Sequence, residues 1–300
     1  MRAIAYYDYG GPDVLQVVDI PIPEPGAGQV RVAVRASAVN PADWKIRSGA
    51  LSFGEPVFPQ YPGGEIAGVV DALGPDVTEM AVGDEVLGWA VAAYAEYAIS
   101  NAVARKPAEL SWVDAASLPV SVSTAAKALA ALKLQPGETL LINGAAGAVG
   151  SMGVQLAVAD GVTVIGTASA ANQDIVRELG ATATTYGDGV ADRVRALAPD
   201  GVDAVFDAAG HGVLPAAIEL RGGTDRIVTI VDPAARELGV TFLTGGPRPV
   251  ELLHQVAERV ASGAFRLPGP ARTFRLERAA AAQEESEKGR GPGKVVLTVS

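Results

Sequence analysis

The chain has 300 residues, 49% of them apolar and 19% charged, with a formal net charge of −10 and no cysteine. That length buries a large core and suggests two domains, while the negative balance argues against nucleic acid and anionic membrane surfaces as partners. The absence of cysteine excludes disulfides, thiol nucleophiles and thiolate metal sites.

No apolar run is read as reaching the ~20 residues of a bilayer span, and the segment from Met1 to Asp8 breaks too early for a signal peptide. A cytoplasmic protein is the expectation. The first 118 residues carry short β-rich runs at 29–35, 66–70, 85–89 and 95–99, punctuated by Pro and Gly. Such spacing predicts an irregular, mostly antiparallel β domain. A helix pattern over 122–132 follows a boundary near Pro119 and leads to Leu140-Leu-Ile-Asn-Gly-Ala-Ala-Gly-Ala-Val-Gly150. This segment reads as a buried strand, a glycine-spaced turn and the start of an apolar helix over 151–159.

Beyond it the chain alternates. Strand patterns stand at 162–168, at a short run ending on Tyr186, at 202–207 and at 226–232, with a helix pattern over 172–179 after the first and another leading into the last. Regular alternation of this kind predicts an α/β fold with a doubly wound parallel sheet. A strand at 240–244 would form its edge, and a helix over 250–262 would close that domain. A strand-like stretch at 271–276, a polar helix at 277–288 and a final strand at 294–299 would return to the N-terminal domain.

The turn carries the chemistry. Backbone amides and a helix N-terminus together favour a pyrophosphate, so Gly144, Ala146, Gly147, Ala148, Val149 and Gly150 are expected to hold a dinucleotide. The spacing is G-x-x-G-x-x-G rather than G-x-G-x-x-G, and a plain glycine turn between strand and helix is the competing reading. An NAD site usually carries an acidic residue about 20 residues past the glycines for the ribose hydroxyls. None occurs between Asp160 and Asp174. Thr167, Ser169 and Asn172 could instead donate to a 2′-phosphate, although no Arg or Lys stands among them. NADPH is the expected cofactor.

Several further motifs occur in order: Ser37-Ala-Val-Asn-Pro-Ala-Asp-Trp-Lys-Ile-Arg-Ser-Gly49, Tyr61-Pro-Gly-Gly-Glu-Ile-Ala-Gly-Val-Val70, Val82-Gly-Asp-Glu-Val-Leu-Gly88, Ala116-Ser-Leu-Pro-Val-Ser-Val-Ser-Thr-Ala125 and Gly293-Lys-Val-Val-Leu297. With the glycine turn, they make the chain resemble the medium-chain dehydrogenase/reductase superfamily over essentially its whole length, in particular the zinc-independent quinone oxidoreductase and enoyl reductase branch. The resemblance implies a Rossmann domain (119–263) inserted into a GroES-like β-rich catalytic domain (1–118 plus 264–300), with NADPH in the cleft between them. Zinc-dependent relatives place cysteine near position 40 and histidine before the glutamate of Gly-x-Glu; Asn40 and Gly64 stand there instead. The only histidines, His211 and His254, lie in the Rossmann half. No metal is expected.

The resemblance also implies residue roles. Asn40 matches a position facing the nicotinamide ribose; otherwise it initiates a turn before Pro41. Thr124 matches a threonine near the nicotinamide, against a simple helix N-cap. Tyr186 matches a tyrosine near the adenosine 2′-phosphate, against a buried strand-end tyrosine. Ala208 and Ile230 stand at strand ends beside the cofactor. Lys288 or Arg290 could reach the phosphate, although a solvated basic helix end competes.

Hydride delivery to an α,β-unsaturated carbonyl leaves an enolate that needs a proton. Asp43, Lys45 and Tyr94 are the candidate donors, with water as an alternative. Some quinone reductases carry tyrosines after the Asn40 position, where Lys45 and Leu51 stand here. The expected activity is NADPH-dependent reduction of an activated C=C bond in an enone or enoyl substrate. The alternatives are quinone reduction and, in another class, a noncatalytic NADPH-binding sensor or structural protein. Apolar and aromatic loops at 51–60 and 89–97 suggest a hydrophobic acceptor, ring-bearing ones included. The edge strand at 240–244 suggests a homodimer.

Overall fold

A computed structural model describes residues 1–52, 54–289 and 291–300. The chain begins with β1 (Arg2–Ala5) and β2 (Gln16–Asp19), an antiparallel pair. Then come β3 (Val30–Val39), α1 (Pro41–Arg47), β4 (Glu65–Leu73), β5 (Glu85–Val91), β6 (Tyr97–Arg105), α2 (Trp112–Ala116) and α3 (Pro119–Leu132). The alternating part follows as β7 (Thr139–Asn143), α4 (Ala148–Ala159), β8 (Thr163–Ala168), α5 (Gln173–Glu178), β9 (Thr182–Thr185), α6 (Val190–Leu197), β10 (Ala204–Asp207), α7 (Leu214–Arg221), β11 (Ile227–Thr229), α8 (Ala235–Leu238) and β12 (Thr241–Phe242). The chain ends with α9 (Val250–Ala261), β13 (Arg272–Arg275), α10 (Ala279–Glu287) and β14 (Val295–Thr298).

Two compact units result. One comprises Met1–Val120, Arg248–Ala264 and Gly269–Ser300; the other comprises Ser121–Pro247 and Phe265–Pro268. In the first, six strands run in the order β13-β14-β3-β4-β5-β6, and β3 also pairs with β6, so the sheet curls back on itself. Gly68 and Gly88 make that curl possible. A Cβ on Gly68 would lie 2.2 Å from the Ala33 carbonyl oxygen, and one on Gly88 would lie 2.3 Å from that of Ala102. The inner face packs Ile4, Val32, Val34, Ile66, Val86, Tyr94 and Leu297 into one core.

The second unit is a parallel sheet ordered β12-β11-β10-β7-β8-β9. Period-two alternation sends Leu140, Ile142, Val164 and Phe206 to one face, under α3, α4 and α5. Leu141, Ile165, Val205 and Ile227 go to the other, under α6 and α7. Strands buried on both faces read as continuous apolar runs, which is why β7 and β8 are plain in the sequence.

Three expectations change. The domain boundary falls inside α3, between Val120 and Ser121, and α9 groups with the β-rich unit rather than closing the parallel-sheet unit. Arg248 Nη1 donates to Asn101 Oδ1 at 3.1 Å, and His254 lies 3.4 Å from the Arg105 carbonyl oxygen, tying this segment to β6. Among the described residues, the stretch Trp112–Leu132, 21 residues long, is long and apolar enough to cross a membrane by length and composition. It is broken before Pro119, and 56% of its apolar window is buried inside the fold. Finally, α1 and α6 formed no part of the expected pattern; both are short, and α1 starts at a proline pre-set for a helical first turn.

Candidate active site and dinucleotide cradle

In the β-rich unit a cavity of about 310 Å³ is lined by residues that include Tyr6, Asn40, Asp43, Ile46, Gln60 and Tyr61. Asn40 ends β3 and caps α1. Its amide N–H donates to Asp43 Oδ2 at 2.8 Å, half of a capping box. The Asn40 side chain does other work. Its Nδ2 donates to Glu65 Oε1 at 2.8 Å, and its Oδ1 accepts from Lys294 Nζ at 2.6 Å. Lys294 also reaches Glu65 Oε1 at 2.7 Å, and the Val120 amide donates to Glu65 Oε2 at 2.7 Å. Glu65 is therefore fully buried yet fully bonded. Sequence reasoning missed Glu65 and Lys294 as site residues. Their motifs were visible, but their pairing across 229 positions was not.

Asp43 is the acid on the cavity wall. Tyr94 Oη donates to Asp43 Oδ2 at 2.8 Å, so both bonds fall on the same oxygen. Burial outweighs these two bonds and pushes the Asp43 carboxyl up to about 6, with Glu65 adding to the rise and Lys294 opposing it. Tyr94 itself is buried, and burial next to Asp43 holds its phenol well above the ordinary tyrosine value. Tyr6 donates to Gln60 Oε1 at 2.5 Å, and burial raises its phenol to about 12. Tyr6 and Gln60 line the wall without any signal in the sequence that would single them out.

Two expected donors are placed elsewhere. Lys45 does not line the cavity; its ammonium lies 5.5 Å from the Trp44 ring centroid. Tyr94 meets the cavity only through Asp43.

In the other unit, the turn after β7 has the shape a pyrophosphate needs. Gly144 is at φ +83°, and a Cβ there would lie 2.5 Å from Ala209 Cβ. A Cβ on Gly150 would lie 2.2 Å from the Gly144 carbonyl oxygen. Gly147 is the N-cap of α4, and Ala148, Val149 and Gly150 form that helix's first turn, which carries no acidic residue. The first-turn amides have no partner within the helix and are available to an anion. Ala146 is nearly buried beside them, and Gly166 lets Ala145 approach β8.

Behind the turn runs a buried polar rung across four strand ends. Thr167 Oγ1 donates to Asn143 Oδ1 at 2.7 Å, and Asn143 Nδ2 donates to Asp207 Oδ1 at 2.8 Å. Thr229 Oγ1 donates to Asp207 Oδ2 at 2.7 Å. Asp207 Oδ1 also accepts from the amides of Ala209 and Gly210. The rung fixes the turn after β7 and the loop after β10 against each other. Asn143 was missed as a site residue, although a polar residue between an apolar strand and a glycine turn is a usable signal.

The rung also reassigns Thr167. Its side chain is wholly buried, donates to Asn143 and accepts from the Gly144 amide, so it positions the turn and has no bond left for a phosphate. Ser169, just past β8, makes no capping bond with its side chain, and Asn172 follows one short turn later. Tyr186 is 46% exposed, which excludes the buried strand-end reading, and it stacks on His211 at 6.1 Å. These two rings border a cavity of about 430 Å³. Arg193 is tied down by donation to the carbonyls of Thr185, Tyr186, Gly187 and Asp188, so it stiffens the Tyr186 loop.

Ala208 and Ile230 are anchored by their amides to Asn143 and Asp207 carbonyls. Thr124 lies inside α3, which starts at Pro119, so it is not that helix's N-cap. Lys288 pairs with Glu284 and Glu285, and Arg290 lies outside the described residues.

Both units have counterparts among known proteins. Residues 26–108 match the family model described as alcohol dehydrogenase GroES-like domain, and residues 148–239 match that described as zinc-binding dehydrogenase. The chain is 31% identical to 2-methylene-furan-3-one reductase of Solanum lycopersicum, over 99% of this chain and 79% of that protein. The solved quinone oxidoreductase of Coxiella burnetii superposes with a TM-score of 0.89 at 32% identity, covering 100% of this chain and 99% of that one. A mycobacterial protein solved in complex with NADPH gives a TM-score of 0.83 at 29% identity, covering 99% of this chain and 100% of that one. The chain is an oxidoreductase of the medium-chain dehydrogenase/reductase superfamily, similar to its quinone oxidoreductases and enone reductases.

Proposed function

We propose that this chain is an NADPH-dependent, zinc-free reductase of C=C bonds conjugated to a carbonyl, in enone or enoyl substrates. The observation that carries the zinc-free part is the ammonium of Lys294, held by Asn40 Oδ1 and Glu65 Oε1. The side chains at this place already enclose a cation, and they include neither thiolate nor imidazole. A reductase that does not polarise its acceptor with a metal is suited to acceptors whose electron sink is built in, and a conjugated C=C bond is such an acceptor.

The dinucleotide supplies the hydride. The glycine turn and the first turn of α4 would hold its pyrophosphate. Ser169, Asn172 and Tyr186 are the residues suited to the 2′-phosphate side, with no carboxylate at the end of β8 to repel it. The cavity lined by Tyr6, Ile46 and Tyr61 suits a compact hydrophobic acceptor. The exposed edge strand β12, with Phe242 41% exposed, supports a homodimer paired along that edge, and a monomeric mass in solution would count against it.

Oxidation of NADPH and NADH against linear enones, cyclic enones and quinones tests the reading. Turnover with enones and a preference for NADPH are expected. The likeness to quinone oxidoreductases favours quinone reduction as the second reading, and faster turnover of quinones would select it. NADPH bound tightly but consumed with no acceptor would instead indicate a sensor.

A further inference from the structure

Resting on the reading of this chain as a C=C reductase, we infer that Asp43 is the acid that protonates the substrate after hydride transfer, and that Tyr94 is its positioning residue. Three candidate donors lie close together in the sequence or the fold, and the geometry separates them. Lys45 is over the Trp44 ring and off the cavity wall. Tyr94 is 1% exposed and has its hydroxyl directed at Asp43. Asp43 alone lines the cavity.

The two carboxylate oxygens have different work. Oδ2 accepts both the Asn40 amide and the Tyr94 hydroxyl. Oδ1 has no hydrogen bond among the described residues, so it is the oxygen free to carry a proton. The charged and titratable groups around it are Glu65 and Lys294 behind Asn40, Tyr94 on the strand side and Tyr6 across the cavity. On the α10 side, Arg47 is held by Gln283 at 2.8 Å and Glu287 at 2.6 Å. Burial keeps part of the Asp43 population protonated near neutral pH, the condition a general acid requires.

The step balances. NADPH, oxidised to NADP⁺, would give up a hydride to the β-carbon, so that the C=C electron pair moves toward the carbonyl and an enolate forms. The Oδ1–H bond of Asp43 breaks, its proton bonds to the α-carbon, and the carboxylate regains a proton from water. One hydride and one proton are added, and the acceptor leaves as a saturated carbonyl compound.

The test compares two acceptors. An enone needs the proton; a nitroalkene does not, because its nitronate product is stable and can leave unprotonated. Asp43→Asn keeps an oxygen for the Asn40 and Tyr94 donors and removes the acid. It should lower enone kcat by about 10²-fold or more, while single-turnover hydride transfer to the nitroalkene stays within about threefold and unprotonated nitronate is released. The wild-type enone kcat should fall as pH rises through the Asp43 titration. Tyr94→Phe removes a bond that favours the carboxylate, so this limb should move to higher pH.

An Asp43→Asn enzyme that keeps its enone rate, or loses both acceptors equally, overturns the assignment while leaving the reductase reading intact. An unmoved limb in Tyr94→Phe overturns the positioning role. A wild type that consumes NADPH with neither acceptor overturns the reductase reading, and the assignment with it.

Discussion

Lys294 Nζ stands 2.7 Å from Glu65 Oε1, with Glu65 wholly buried and the lysine side chain 10% exposed. The pair joins β4 to the start of β14, and so joins the two ends of the chain in one unit. Two buried charges carry a large desolvation penalty, offset here by the mutual attraction and by hydrogen bonds from Asn40 and Val120.

Removing one partner should therefore cost more than removing both. Lys294→Met leaves a buried carboxylate without its counter-charge and is expected to destabilise this unit by about 3–5 kcal/mol. Lys294→Met with Glu65→Gln should recover much of that loss. Trp44, Trp89 and Trp112, the only tryptophans, all lie in this unit, so urea unfolding followed by tryptophan fluorescence reads it directly. A double variant as unstable as the single one would refute the account.

The glycine turn predicts an asymmetry. Gly150→Ala would drive a methyl group to within 2.2 Å of the Gly144 carbonyl oxygen. It should abolish measurable NADPH binding and lower stability by at least about 1–3 kcal/mol, as overpacking does. Gly147 has φ −77° and would place its Cβ 3.3 Å from the same oxygen, a contact relieved by a shift of a few tenths of an ångström where Gly150 would need a far larger one. Gly147→Ala should weaken binding far less. Titration of NADPH fluorescence with both variants decides it; equal losses would mean that the close packing of Gly150 is not what shapes the cradle.

Much of this turn was legible in the sequence, because strand, glycines and apolar helix follow one another locally. The parallel sheet was legible for the same reason, since β7 and β8 are continuous apolar runs. The placement of α9 was not. Its buried face of Leu253, Val256 and Ala257 says that it packs on something, but periodicity does not name the partner. The polar rung and the Lys294–Glu65 pair were illegible for a related reason, as each is a contact between distant residues. Thr167 shows the converse hazard: a hydroxyl at a strand tip reads as a ligand donor, yet register directs it into the rung.

That rung makes Asn143 a sensitive point for binding. It donates to Asp207 and to the Gly210 carbonyl and accepts from Thr167, all while buried. Asn143→Leu keeps the volume, takes the Asn143 partner from the Thr167 hydroxyl and the Gly210 carbonyl, and removes one of the three donors to Asp207 Oδ1; each group left unpaired costs about 1–3 kcal/mol before relaxation. The Kd for NADPH should rise at least tenfold, because the turn and the 208–210 loop lose their common brace. An unchanged Kd would show that the two loops are fixed independently.

Cofactor choice should respond to charge at the end of β8. Ser169 lies just past that strand, with its side chain making no capping bond. Ser169→Asp introduces the carboxylate that a 2′-phosphate would meet as a like charge. The ratio of kcat/KM for NADPH over NADH should fall at least about tenfold, equivalent to about 1.4 kcal/mol. Steady-state rates with both cofactors check this, and a ratio left unchanged would move the 2′-phosphate away from Ser169.

Acid should loosen the edge between β7 and the turn before β11. Arg226 donates to both carboxylate oxygens of Glu138, from Nη1 at 2.8 Å and Nη2 at 2.5 Å. The Arg226 guanidinium, with help from the Gln135 amide, pulls the Glu138 carboxyl down to about 2. Its folded value thus lies below its unfolded one, and the unfolded chain binds more protons in the interval between them. The stabilisation is fully present above the unfolded value of about 4.5 and is lost as pH falls toward 2. Both side chains keep about a quarter of their surface in water, so solvent and salt reduce the contribution to about 1 kcal/mol. Glu138→Gln should therefore be less stable than the wild type by about that amount at pH 7, with the gap narrowing at pH 3.5 and in 1 M salt. Urea midpoints by far-ultraviolet circular dichroism measure it. A gap that ignores both pH and salt would mean that Glu138 acts by packing, not by charge.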